Sequence, residues 1–171
     1  HPKLYKSPQF LLFMAKEKEV KILEINPSIV ISQLVSMGAQ KIFDGELYTE
    51  FFDYDDKSIK DSDCLLRLRD EVKEVVLTLK EPSKEGGEKG VKSLEETEVV
   101  VSSFKNLRRI LEFLGLGIYR EMNKKRTTYK LDHVKYELDK YLGEYDFIPY
   151  FLEIEGPDKK TIIAYAEKIG F

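Results

Sequence analysis

The chain has 171 residues, of which 42% are hydrophobic and 35% are charged, and its 28 basic and 31 acidic residues leave a net charge of −3. This length is enough for one domain with a sizeable core and is short for two. A dedicated nucleic-acid-binding protein would normally carry a clear basic excess, so the charge balance argues against that class. A small anionic ligand is compatible with it, because opposite charges can be segregated locally.

Cysteine content and the N-terminal pattern bear on the compartment. Cys64 is the only cysteine, which excludes an intramolecular disulfide and a cysteine-based zinc site, and we interpret it as a small core residue. The apolar run at 10–15 is too short for a membrane span or an ordinary signal peptide, so we expect a cytoplasmic protein. Met14 resembles a native start. We therefore predict that residues 1–13 are a tag or upstream extension and that 14–171 form a single domain.

Hydrophobic periodicity predicts strands first, in chain order. Alternating, β-branched or aromatic segments occupy residues 16–26, 43–54, 65–69, 75–80, 91–101, 118–129, 134–142 and 151–155. A polar, glycine-rich loop is predicted at 83–90. The strand-rich pattern predicts an α+β fold in which an antiparallel sheet of about eight strands dominates.

Three segments have helical spacing instead. The first opens at Pro27, places Ile29, Leu34 and Val35 on its apolar side and stops near residue 38. The second spans 103–114, and the third spans 157–169 before a terminal glycine. Helices of this kind are expected to pack outside the sheet.

Charged residues recur in pairs two positions apart along the predicted strands. Alternate side chains of a strand share a face, so each pair lies on one side of the sheet. The pairs are Glu17 with Glu19 (and Lys21), Arg67 with Arg69, Glu96 with Glu98, Lys124 with Arg126, and Glu153 with Glu155. One such pair is ordinarily a solvated outer face. The whole set fits a closed barrel with a polar interior, and about eight strands can enclose one small ligand.

The signs of these charges predict a phosphate ligand. The basic set is Lys21, Arg67, Arg69, Lys80, Lys124 and Arg126, and the acidic set is Glu17, Glu19, Glu96, Glu98, Asp139, Glu153 and Glu155. The two sets nearly cancel, and two divalent cations would make the interior positive enough for a polyanion. Carboxylate clusters suit Mg²⁺ or Mn²⁺, while arginine and lysine bind phosphate oxygens.

The motifs resemble the CYTH superfamily, the triphosphate tunnel metalloenzymes. Residues 17–21 match the ExExK signature of that family. The resemblance continues in order through 66–69, 77–80, 96–98, 124–126, 138–139 and 152–156, and so it spans almost all of 16–156. It implies a tunnel whose bore binds a metal-complexed triphosphate.

The resemblance also implies residue roles. It implies that Glu17, Glu19, Glu153 and Glu155 hold the catalytic metal and that Glu96 and Glu98 serve a second metal or orient basic groups. The implied phosphate ligands are Lys21, Arg67, Arg69, Lys80, Lys124 and Arg126. Lys21, Arg126 and Asp139 are the implied catalytic residues, with Mg²⁺ or Mn²⁺ as cofactor.

The predicted function is metal-dependent hydrolysis of an inorganic, nucleoside or thiamine triphosphate. Class IV adenylyl cyclases of the family tend to carry Gln-x-Asp-x-Tyr-Phe-Asp, whereas residues 47–53 lack the Gln and the first Asp, so hydrolysis is favoured over cyclisation. Cyclic AMP formation and non-catalytic triphosphate or polyphosphate binding are the alternatives. The expected partner is a small triphosphate rather than a nucleic-acid duplex or a membrane, and a homodimer is left open.

Overall fold

The computed structural model describes residues 14–83 and 92–171, with side chains at 18–83 and 94–171. Residues 1–13 and most of the predicted loop at 83–90 lie outside the described residues. The strands are β1 Met14–Ile22, β2 Gln40–Asp53, β3 Leu65–Asp70, β4 Val75–Pro82, β5 Lys92–Val101, β6 Gly117–Leu131, β7 Val134–Tyr141 and β8 Phe151–Glu155. The helices are α1 Pro27–Ser36, α2 Ser58–Asp61, α3 Phe104–Phe113 and α4 Lys159–Glu167, with a 3-10 turn at Gly143–Tyr145.

The strands form one antiparallel sheet in the order β1-β5-β4-β3-β2-β6-β7-β8. Strand β1 pairs with β5 through its first half and with β8 through its second half. The longest pairing joins β2 to β6 and contains two irregularities of register, one of them between Phe51 and Phe52. The predicted α+β fold with an antiparallel sheet of about eight strands is confirmed.

Apolar side chains on the outer face of β7 and β8 form the larger core, beneath α1 and α4. Tyr136, Leu152 and Ile154 are fully buried there and pack with Leu34 of α1 and Ile162 of α4. Fully burying one such side chain contributes about 1.5–3 kcal/mol. Because the apolar residues of each strand are used on this outer side, the alternate polar residues face inward.

A smaller core lies under α3. Phe52 of β2 and Leu68 of β3 pack there with Leu111 of α3 and Leu116, which precedes β6. Ser103 caps α3, since its hydroxyl accepts a hydrogen bond from the backbone N–H of Asn106 at 3.2 Å. The two cores therefore hold helices against opposite parts of the outer surface.

The apolar side predicted for α1 is partly wrong. Val30 and Leu34, four residues apart, face the core, whereas Ile29 and Val35 are each 57% exposed. Asn26 begins the helix by accepting hydrogen bonds from the backbone N–H groups of residues 28 and 29. This start sets the rotation of the helix and so selects the i, i+4 pair that meets the sheet.

Two other expectations need correction. The four-residue helix α2 is an addition to the predicted elements, and it begins where Asp53 accepts hydrogen bonds from the backbone N–H groups of Ile59 and Lys60, both at 3.0 Å. Cys64, predicted to lie in the core, is only partly buried in the loop after α2. None of the described helices is long and apolar enough to cross a membrane.

Candidate functional site

The inner face of the sheet lines a cavity of about 420 Å³. Its wall carries six basic and seven acidic side chains. Ten of the residues predicted from the sequence lie in it, namely Glu19, Arg67, Arg69, Lys80, Glu96, Glu98, Lys124, Arg126, Glu153 and Glu155. The i, i+2 pairs therefore point inward, and charges from six strands meet in one small space.

Three predicted residues have other positions. Lys21 is 44% exposed and forms a 2.8 Å ion pair with Glu153. Asp139 is fully buried behind the cavity wall. The side chain of Glu17 lies outside the described residues, although its backbone continues β1 two positions before Glu19.

Asp139 holds two of the basic side chains in place. Its Oδ1 accepts a hydrogen bond from Nε of Arg126 at 2.7 Å, and its Oδ2 accepts one from Nη2 of Arg126 at 2.6 Å. The same Oδ2 accepts a hydrogen bond from Nζ of Lys124 at 2.6 Å. A bidentate arginine–carboxylate pair fixes the plane of the guanidinium, so Asp139 orients Arg126 instead of facing the cavity itself.

Arg126 also joins two carboxylates on its cavity side. Its Nη2 donates a hydrogen bond to Glu153 at 2.9 Å, and its Nη1 forms an ion pair with Glu137. Burial opposes its charge, but Glu137, Asp139 and Glu153 together raise the pKa of Arg126. The guanidinium is thus held permanently charged at the centre of the network.

The surrounding groups titrate away from their ordinary ranges. Burial would raise the pKa of Glu153, but the charges of Lys124, Arg126 and Lys21 lower it to about 2. Burial, with the charge of Arg126, lowers the pKa of Lys124 to about 8. Burial raises the pKa of Glu137 in spite of the neighbouring Arg126. Such perturbed groups in one cleft are typical of functional sites.

A second arginine is set by a hydroxyl. The Nε of Arg69 donates a hydrogen bond to Oγ1 of Thr49 at 3.2 Å, and its Nη1 lies 3.4 Å from Oε1 of Glu71. Burial and the like charges of Arg67 and Arg126 lower the pKa of Arg69 to about 10. This repulsion is relieved if an anion enters between the three guanidinium groups.

The predicted residues of β4 and β5 pair with each other across the sheet. Lys80 forms an ion pair with Glu96, which is its direct partner in the strand register. Thr78 donates a hydrogen bond to Oε1 of Glu98 at 3.0 Å. Glu96 and Glu98 therefore hold groups of β4 at the wall of the cavity.

The carboxylates proposed for metal binding lie on β1 and β8. Glu19 and Glu155 are direct partners in the strand register and both line the cavity, where Nζ of Lys135 donates to both oxygens of Glu155 at 3.2 and 3.0 Å. Among the side chains that the structure describes, no three His, Cys, Asp or Glu residues are grouped closely enough to hold a metal ion. The oxygen-only donor chemistry of Glu19, Glu153 and Glu155 nevertheless fits Mg²⁺ or Mn²⁺.

Sequence reasoning missed several residues of the cavity wall. Lys135 and Glu137 precede Asp139 at two-residue intervals on β7, so the same alternation rule could have found both. Thr49 and Tyr141 also line the cavity, but an isolated hydroxyl or aromatic residue in a strand gives no sequence signal of this kind.

Comparisons with known proteins add the following. A CYTH domain family model matches residues 15–170. A Methanocaldococcus jannaschii protein, provisionally named an adenylate cyclase, is 29% identical over 142 residues, which is 81% of this chain and 75% of that protein.

Solved structures share the fold. A Pyrococcus horikoshii protein is similar with a TM-score of 0.74 at 23% identity, covering 91% of this chain and 90% of that one. A Hippeastrum protein, described as a provisional adenylyl cyclase with a dominant triphosphatase activity, has a TM-score of 0.64 at 18% identity, covering 88% and 84%. At these identities the likeness shows the fold alone.

Proposed function

The chain belongs to the CYTH domain family, and on that premise we propose that it is a divalent-metal-dependent enzyme that hydrolyses a triphosphate. The observation that carries the proposal is the convergence of five predicted basic side chains on one cavity, listed as Arg67, Arg69, Lys80, Lys124 and Arg126. The unbroken ring of strand pairings, from β1 through β5 and round to β8, supports a closed tunnel around that cavity.

The basic side chains would bind the phosphates. Arginine forks bind phosphate oxygens bidentately and lysine adds a point charge, so the pair Lys124 and Arg126, held together by Asp139, offers a rigid cationic surface. Arg67 and Arg69 on β3 supply further cations of the cavity wall. Charge-assisted hydrogen bonds of this type contribute about 1.5–3 kcal/mol each.

Glu19, Glu153 and Glu155, with Glu17 by its place on the same strand face as Glu19, are the residues that would hold Mg²⁺ or Mn²⁺. A divalent cation at that position supplies charge neutralisation for the triphosphate oxygens. Glu155 is bonded to Lys135, and Glu153 to Lys21 and Arg126. Binding of a polyanion would draw these cations toward phosphate and leave carboxylate oxygens available.

In the hydrolytic reaction the oxygen of water attacks a phosphorus, the bridging P–O bond breaks, and orthophosphate leaves. The contribution of the chain to phosphoryl transfer would be positioning and charge neutralisation. Arg126 serves both purposes, since Asp139 fixes its plane while the guanidinium keeps its charge.

The substrate panel is the direct test. The purified protein is incubated with tripolyphosphate, ATP or thiamine triphosphate and Mg²⁺ or Mn²⁺, and orthophosphate, pyrophosphate and cyclic AMP are measured separately. We expect orthophosphate. Cyclic AMP with pyrophosphate would favour the cyclase that the name of the M. jannaschii relative suggests, although Leu47 and Thr49 occupy the cavity wall where cyclases of the family tend to carry Gln and Asp.

A non-catalytic triphosphate or polyphosphate binder is the second candidate. It is favoured by the pairing of Glu153 and Glu155 with cations and by the lack of a three-acid group among the described side chains. Glu19→Gln separates the two candidates. An enzyme should lose turnover while metal-free tripolyphosphate binding stays equal or tightens, because the variant removes negative charge. A binder loses nothing, and full turnover by Glu19→Gln would exclude Glu19 as a catalytic ligand.

We further propose that the partner is a small triphosphate rather than a nucleic-acid duplex or a membrane. A cytoplasmic location, a homodimer and the domain boundary at residue 14 stay predictions.

A further inference from the structure

A second pocket, of about 920 Å³, lies beside the first cavity. It is called the outer pocket below, and the wall residues that the argument uses are Leu65, Tyr119, Arg120, Glu121, Glu144 and Tyr145. None of these belongs to the predicted phosphate or metal set. Its volume is within the range of small-molecule sites.

The outer pocket continues the inner faces of two strands. On β3, Leu65 of the outer pocket precedes Arg67 of the cavity by two residues. On β6, Arg120 of the outer pocket precedes Met122 of the cavity by two residues. Because alternate residues share a strand face, each pair places one side chain in the cavity and the next, about 6.6–6.8 Å further along the strand, in the outer pocket.

Aromatic contacts join the two spaces. Phe51 lines the cavity, and the guanidinium carbon of Arg120 lies 4.5 Å from its ring centroid and 5.6 Å from that of Tyr119. Tyr141, also in the cavity wall, has its ring centroid 6.2 Å from that of Tyr145 in the outer pocket. The boundary between the two spaces is therefore made of planar groups.

The charges of the outer pocket suit a different group from those of the cavity. Three basic and three acidic side chains line it, namely Lys60, Arg108 and Arg120, and Asp63, Glu121 and Glu144. They cancel, so the outer pocket has no excess charge to attract a triphosphate. Arg120 and Tyr119 are exposed, and Tyr119 is 46% accessible, so a planar ring could stack on either of them.

We propose that the outer pocket binds an amino-substituted heteroaromatic ring carried by an organic triphosphate whose phosphates occupy the cavity. The inference rests on the proposed function and specifies its substrate class. Glu121 and Glu144 supply the acceptors for the amino group, and Glu121 is held in place by a 2.8 Å hydrogen bond from the hydroxyl of Tyr48. Such a ring occurs both in adenine nucleotides and in thiamine triphosphate.

The test is a comparison of kcat/KM between substrates for wild type, Arg120→Ala and Tyr119→Ala. The ratio of the ATP value to the tripolyphosphate value should fall about tenfold in either variant, as expected for loss of one stacking contact. Arg109→Ala, at an exposed position of α3 outside both pockets, is the matched control and should keep the wild-type ratio. An unchanged ratio in both outer-pocket variants would overturn the inference.

Two further arms identify the ring. ITP lacks the amino group of ATP, so wild-type protein should use ITP less well than ATP, and equal use would contradict the role of Glu121 and Glu144. Thiamine triphosphate separates the two sources, because the better of ATP and thiamine triphosphate should also be the one more affected by Arg120→Ala.

Failure of the proposed function would be distinct from failure of this inference. If wild-type protein turns over no triphosphate at all, hydrolysis is wrong, and the outer pocket is then tested by calorimetric binding of ATP and tripolyphosphate in chelator. Arg120→Ala should weaken ATP binding about tenfold relative to tripolyphosphate. Equal affinities of the variant and wild type for ATP would overturn the inference.

Discussion

At the scale of single residues, Asp139 links Lys124 and Arg126 by three hydrogen bonds of 2.6–2.7 Å while being fully buried itself. Asp139→Asn preserves the shape of the side chain but removes the charge that both cations face. Breaking a buried ion pair by removing one partner costs about 3–5 kcal/mol. We expect the free energy of unfolding, measured by urea denaturation, to fall by an amount of this order.

Asp55→Asn is the control for that measurement, because Asp55 is exposed. The control should unfold at the wild-type urea concentration. If Asp139→Asn does so too, Asp139 does not hold the network together.

Lys124 gives the site a predicted pH dependence. Burial lowers its pKa from the ordinary 10.5 to about 8, so the free protein loses this positive charge as the pH rises through 8. Tripolyphosphate affinity in chelator should then weaken above about pH 8 in wild type more than in Lys124→Arg, whose guanidinium stays charged. Parallel pH profiles of the two proteins would contradict this prediction, since the titration of the ligand is common to both.

The same shift affects stability. Between pH 8 and 10.5 the unfolded chain binds more protons at Lys124 than the folded chain does. The free energy of unfolding should therefore contain a contribution from Lys124 that rises with pH across this interval.

Residue-level prediction succeeded where alternation alone decides the outcome. Arg67 and Arg69 on β3 were placed correctly inside, because the leucines between them are needed for the outer core. Alternation does not say which inward charge covers another, so it could not show that Asp139 lies behind Arg126. That arrangement depends on side-chain lengths meeting across β6 and β7.

At the scale of elements, the contact between β8 and α4 depends on Gly156. A Cβ added there would lie 2.9 Å from Cγ1 of Ile162, which is fully buried. Gly156→Ala should therefore displace α4 and lower the free energy of unfolding by about 1–3 kcal/mol. Thermal or urea unfolding measures this loss.

Gly117→Ala provides the comparison, because a Cβ at that glycine would meet only the carbonyl oxygen of Asp53 at an ordinary 3.9 Å. Its stability should stay close to that of wild type. An equal effect of the two substitutions would mean that the close approach at Ile162 does not limit packing.

The strands were predictable because each is long enough to show two-residue alternation. Helix α2 was not, since four residues cannot show a helical period, and its start depends on the carboxylate of Asp53, which comes from the preceding strand. The faces of the longer helices were only partly predictable. In α3, Leu107 and Leu111 face the sheet, whereas Ile110 and Leu114 are exposed, although all four have helical spacing.

At the scale of the whole molecule, the sheet separates apolar from charged surface. Two cores under the helices use the apolar residues, and the alternate residues bring thirteen charged side chains into one cavity of about 420 Å³. Burying so many charges is costly unless they are paired or bind a ligand. The arrangement is therefore better explained by binding than by stability.

Two adjacent lysines on β6 test this account most directly. Lys124 faces the cavity, whereas Lys125 is exposed on the opposite face of the same strand. Tripolyphosphate binding is measured by calorimetry at pH 7 in chelator for Lys124→Gln and Lys125→Gln. The account predicts that Lys124→Gln weakens binding about ten- to a hundredfold, as for loss of one charge-assisted contact, and that Lys125→Gln leaves it unchanged. Equal affinities of the two variants would contradict the claim that the interior of the sheet binds the triphosphate.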